Sequence, residues 1–131
     1  MFTLSYERRC NVLLAHFAGV YSSDDIAALD TALLEFSARY GPSHIIRDLS
    51  AVDGVAVPAS KIVQRGQEPP ISPGYGRVTV APRSDLYETA RLYGAEQRLA
   101  GNDAPKLVST LDEAFQELDV VDPQFELVAK A

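Results

Sequence analysis

Six polar residues have the types and spacing to hold an anion. Asp48, Ser50, Asp53 and Ser60 lie in and after the run His44-Ile45-Ile46-Arg47-Asp48-Leu49-Ser50, and Arg83-Ser84 follow a second run, Arg77-Val78-Thr79-Val80-Ala81. An arginine presents a planar donor fork that matches carboxylate or phosphate. The first N–H groups of a helix opening at Ser84 are unpaired, and the helix dipole adds positive potential there. In open α/β sheets such groups collect beyond the carboxyl ends of the strands. The six residues thus form a candidate site, at that edge, for a protein partner or a small anionic ligand. Four of them also have an ordinary structural use: Ser84 caps its helix, Asp48 and Asp53 fix loops, and Arg83 is solvated.

Catalytic readings are thinner. A Ser/His/Asp hydrolase can be written from Ser60, His16 and Asp48, but the Gly-x-Ser-x-Gly elbow is absent. Neither Gly-x-Gly-x-x-Gly nor a Gly-Lys-Ser/Thr phosphate loop occurs, so no cofactor is indicated. His16 and His44 fall on different strands with no carboxylate at ligand spacing, which argues against a metal. His16, between apolar neighbours, reads as a hydrogen-bonded structural histidine. The acids from Asp112 to Glu126 read as a solvated face.

Composition sets the frame for these groups. At 131 residues, 47% of them apolar and 23% charged, the chain is long enough to bury one domain's core. A net charge of −6 argues against nucleic acid, which favours a basic face. No apolar run reaches the length of a membrane span, and the first residues lack the regions of a secretory signal. With Cys10 alone there is no internal disulfide, so a reducing, cytoplasmic setting is expected.

Two periodicities place the elements. Residues 2–7 alternate at period two and residues 12–18 continue as a more buried strand, with the polar turn Arg8–Asn11 making a hairpin. Ser22 and Asp25 have capping-box spacing, and Ile26, Leu29, Leu33, Phe36 and Tyr40 form a helical stripe that Gly41-Pro42 stops. Residues 44–50 read as the central strand, interrupted by Arg47 and Asp48 near its end, and 51–57 as a polar loop. Pro58 suits the first turn of a helix over 59–65. The Pro/Gly-rich stretch 67–76 is an exposed loop, followed by a strand over 77–81 and a helix capped by Ser84 that runs through Leu86, Ala90, Tyr93 and Leu99 to Gly101. A short strand at 106–109 and a Thr110/Glu113 capping box opening a helix over 111–118 complete the pattern. The expectation is an α/β domain over 1–118, with four helices and a mixed, mainly parallel sheet of about five strands. Residues 119–131 form a tail. Its residues 125–129 read as one added strand or a segment that docks on a partner, and Phe125, Leu127 and Val128 are expected to pack across an edge of the domain or of a second copy, as a weak homodimer.

This order, with Asp48-Leu49-Ser50-Ala51-Val52, Arg77-Val78-Thr79-Val80-Ala81-Pro82 and Leu111-Asp112-Glu113-Ala114-Phe115, resembles the STAS (SpoIIAA-like) domains over roughly residues 3–118. The family includes anti-sigma-factor antagonists and small bacterial relatives. The resemblance implies a non-enzymatic module that binds a partner protein, often under control of a phosphorylated hydroxyl in an Asp-Ser-Ser-Gly-like motif at the second helix. Here Ala56-Val57-Pro58-Ala59 stand at that place and Ser60 lies just past it, so the switch serine is not matched. The broader relatives have been likened to lipid or small-ligand carriers, which implies as an alternative an apolar pocket under the 67–76 loop. A small hydrolase is the remaining reading.

Overall fold

The computed structural model describes residues 1–131. Period-two alternation is realised in a hairpin of β1 (Phe2–Glu7) and β2 (Val12–Tyr21), paired antiparallel with Leu4 opposite Ala15. Helix α1 (Ser23–Tyr40) opens on the expected capping box. The Ser22 hydroxyl accepts from the Asp25 N–H, and the Asp25 carboxylate accepts from the Ser22 N–H. It closes at Gly41, whose φ of 87° is the left-handed value that favours glycine. The remaining elements are β3 (His44–Val55), α2 (Ala59–Gly66), β4 (Arg77–Val80), α3 (Ser84–Leu99), β5 (Lys106–Val108), α4 (Leu111–Glu117) and β6 (Glu126–Lys130).

One sheet runs in the order β5-β4-β3-β2-β1-β6. The pairs from β2 to β5 are parallel, while β1 pairs antiparallel with both β2 and β6. The sheet is thus mixed and six-stranded, one strand more than expected. Part of the tail supplies the extra strand, with Thr3 opposite Lys130 and Leu4 opposite Ala129. Strand β3 also runs five residues beyond the expected Ser50, through what reads in sequence as a loop. The long β2 gives that extension its hydrogen-bond partners, with Gly19 opposite Val52 and Tyr21 opposite Val55. Ser84 does not cap α3: Arg83 holds the cap position without a side-chain cap bond, and Ser84 is the first helical residue. Pro58 likewise sits at the cap of α2 rather than inside its first turn.

Alternation along the strands makes two cores. Leu13, Phe17, Ile45 and Leu49 face the helical layer and pack with Leu29 and Leu33 of α1. Val12, Ile46, Val78 and Val80 face the other way, onto Ala114 of α4 and Val120. Helix α2 lies against α3 at Gly66, where an added Cβ would stand 2.5 Å from the Glu96 Cβ. The fully buried Gln97 locks this contact by donating from its side-chain amide to the Gly66 and Glu68 carbonyls. Helix α1 therefore forms one bank, and α2 with α3 the other, of a channel floored by β3. No helix is long and apolar enough to cross a membrane.

Candidate functional site

The six residues marked in the sequence divide between the two faces of the sheet. Asp48 is buried on the α4 side, where its carboxylate meets His16 Nδ1 at 2.9 Å and accepts the Ser50 N–H at 3.0 Å. Both oxygens are thereby used. His16 is hydrogen-bonded as expected, though its side chain remains 42% exposed because α4 covers only part of this face. Ser50 and Asp53 are exposed along the outer part of β3, and Ser60 is exposed on α2, with no hydrogen bond to His16 or Asp48. The alternation that turns Ile46, Asp48 and Ser50 to one face turns Arg47 and Leu49 to the other, under α2. Ser60 is thus not brought to the His16–Asp48 pair.

Arg83 is occupied from within. Its Nε and Nη2 donate to Asp85 at 3.2 and 3.0 Å, and Nη1 donates to the Val52 carbonyl. The Asp85 carboxylate, and then the more distant Asp53, hold the guanidinium pKa above its ordinary value. Arg83 straps the start of α3 to the outer part of β3. An external anion would have to displace Asp85 to use that fork.

The channel over β3 holds a different constellation. Two adjoining hollows share Arg47, Arg65 and Tyr93. The first, about 640 Å³ counted out to its open mouth, lies toward the carboxyl ends of the strands and is lined by Ile26, Leu29, Leu49, Ile62 and Ala90, with Tyr21 at its end. The second, about 430 Å³ on the same count, lies beneath Pro70, Ile71 and Ser72 and adds Ser37, Ser43 and Arg77. The 67–76 stretch thus roofs part of the channel. It is tied down where the Gly76 N–H donates to His44 Nδ1 at 2.8 Å and where Tyr75 packs against the His44 ring.

Three guanidiniums meet here in an acidic protein, and their states differ. Arg65 makes a two-pronged contact with Asp30, Nε at 2.8 Å and Nη2 at 2.9 Å, with Glu68 3.5 Å from Nη1. Burial opposes the charge of Arg65, but the Asp30 bonds outweigh it and hold the pKa above its ordinary value. Its buried Nη1 has no hydrogen-bond partner. Arg77 donates to Gln97 at 2.9 Å, to the Tyr93 hydroxyl at 3.5 Å and to the Asp103 carbonyl. Burial lowers the Arg77 pKa, and repulsion from Arg47 adds to the fall. Arg47, half-buried in the channel floor, has no hydrogen bond and no ion pair within the protein. Burial pushes the Tyr21 hydroxyl up to about 12, against the pull of Arg47. Chemically, the channel offers one unpaired planar cation beside an apolar slot.

In the sequence Arg47 stands out only as a break in an apolar strand, and that break is the one local signal of the site. Asp30, Arg65 and Tyr93 lie on helical faces with nothing local to single them out. No protein-family model matches this chain, and no curated protein matches it.

Proposed function

We propose that this domain is a non-enzymatic binding module of STAS type, and that it holds a small anionic ligand in the channel over β3. One observation carries the reading: an arginine in the channel floor is left without a partner, while its neighbours Arg65 and Arg77 are occupied. The buried nitrogen without a partner belongs to Arg65, so the Arg47 fork is hydrated and an anion reaches it by displacing water. An apolar hollow with a few convergent polar groups is also the usual form of a ligand site. The roof supplied by Pro70, Ile71 and Ser72 supports the carrier alternative, a pocket under the 67–76 loop, and moves the anchor from Arg83 to Arg47. The separation of Ser60 from His16 and Asp48 supports binding over hydrolysis. The half-buried free thiol of Cys10 fits a reducing compartment such as the cytoplasm.

The test is an NMR titration of the isotope-labelled protein with acetate, benzoate, octanoate and inorganic phosphate. Shifts concentrated at Arg47, Tyr21 and Tyr93 for at least one anion are expected. Saturating shifts around Arg83 instead would return the site to the strand edge. No saturable shift with any of the four would overturn the reading.

A further inference from the structure

The channel is not uniform along its length, and its gradient specifies the ligand. Toward the carboxyl ends of the strands its lining is mainly Ile26, Leu29, Leu49, Ile62 and Ala90. Toward the loop Ser37, Ser43 and Ser72 stand with the arginines among apolar neighbours such as Leu33, Ile45 and Ile71, so the lining is more polar there. Arg47 stands at the boundary and belongs to both hollows.

We infer that the ligand is an amphipathic monocarboxylic acid, its carboxylate on Arg47 and its apolar body in the hollow between α1 and α3. This rests on the anion-binding reading above and narrows it to a class. Three observations carry it. Arg47, Arg65 and Arg77 against Asp30 and Glu68 leave one net positive charge, and the open fork is that of Arg47, since Asp30 fills that of Arg65 while Gln97 and the Asp103 carbonyl take donors of Arg77. A guanidinium with its fork unoccupied takes a planar carboxylate through two parallel N–H···O bonds. The hollow beside it is mainly apolar, with Asp30, Thr79 and Thr89 as the polar residues among its lining besides the arginines, so an apolar body gains there what a bare anion cannot. The orientation follows from the gradient, with the carboxylate toward the serines and the body toward Tyr21.

The experiment is calorimetry at low salt on the full chain with octanoate, acetate, inorganic phosphate and 1-octanol, repeated on two variants. Octanoate is expected to bind at least about tenfold more tightly than acetate, which the burial of two methylenes already supplies. It should also bind more tightly than 1-octanol, which has the body without the charge. Arg47→Gln should weaken octanoate by about ten- to a hundredfold, the range for losing hydrogen bonds to a charged group. Ala90→Phe fills the apolar hollow and should abolish octanoate binding while leaving any acetate binding intact. Far-UV circular dichroism checks the fold of both, and Ala90→Phe decides if Arg47→Gln does not fold. Acetate or phosphate binding as tightly as octanoate would overturn the amphipathic class and leave the anion reading standing. Octanol matching octanoate would overturn the carboxylate anchor, and no binding by any probe would overturn both readings.

Discussion

Replacing Asp30 by asparagine should lower stability and raise anion affinity together. Asparagine keeps the shape and one acceptor oxygen, so the change removes charge more than geometry. Arg65 is then left with Glu68 alone, 3.5 Å from Nη1. Breaking a fully buried ion pair from one side costs about 3–5 kcal/mol. Here the Arg65 and Asp30 side chains are 15% and 26% exposed, so water screens part of the loss. The expected cost is about 1–2 kcal/mol. Thermal or urea unfolding reads it directly. In the channel the same change frees a second positive charge. At ~6 Å from a bound carboxylate and an effective dielectric of about 20, a unit charge contributes up to about 2.8 kcal/mol before screening. Ions and water reduce this, and a gain of about five- to tenfold in octanoate affinity at low salt is expected, shrinking as salt rises. Calorimetry at two salt concentrations measures it. A folded Asp30→Asn protein with unchanged or weaker octanoate binding at low salt would refute the view that Arg65 faces the ligand and is neutralised by Asp30.

Leu33 is 5% exposed beneath α1, so Leu33→Ala should cost roughly 2–5 kcal/mol in urea unfolding, and no loss would contradict the packing of α1 on the sheet. Glu7 is held below its ordinary value near 4.5, first by the Gln124 N–H and further by Arg9. Its contribution is therefore complete above that ordinary value and fades as pH falls through the lower, folded one. Hydrogen exchange of residues 124–130 should accelerate on acidification through this window, and in Glu7→Gln it should already be fast at neutral pH. Arg83→Ala should leave octanoate affinity unchanged, because the fork of Arg83 is filled by Asp85 and the Val52 carbonyl; a loss measured by calorimetry would restore Arg83 as the anchor. Strand β6 exposes Leu127 and Val128 at the sheet edge, but its register breaks opposite Leu4/Ser5, a bulge that blunts pairing. Light scattering should show only a weak homodimer, lost together with some stability in a chain ending at Asp119.

The sequence by itself determined what is local. The Ser22/Asp25 box, the stripe from Ile26 to Phe36 and the Gly41 stop set the bounds of α1, because caps and periodicity are decided within a few residues. The alternation in residues 2–7 determined β1 in the same way, and the interruption at Arg47 pointed to the strand that floors the channel. What needed the tertiary structure is whatever depends on partners far along the chain. Residues 126–130 become a strand because β1 offers an open edge, and residues 51–55 extend β3 because β2 runs alongside them. The faces of Asp48 and Arg47 follow from strand alternation, but which face carries the channel depends on where three helices settle. Asp30 finds Arg65 at a separation of 35 residues, and Arg77 finds Gln97 at 20. Those pairings decide which arginine stays free. An ion pair depends on distance in space, and a single sequence carries no record of that distance once the chain has turned back on itself.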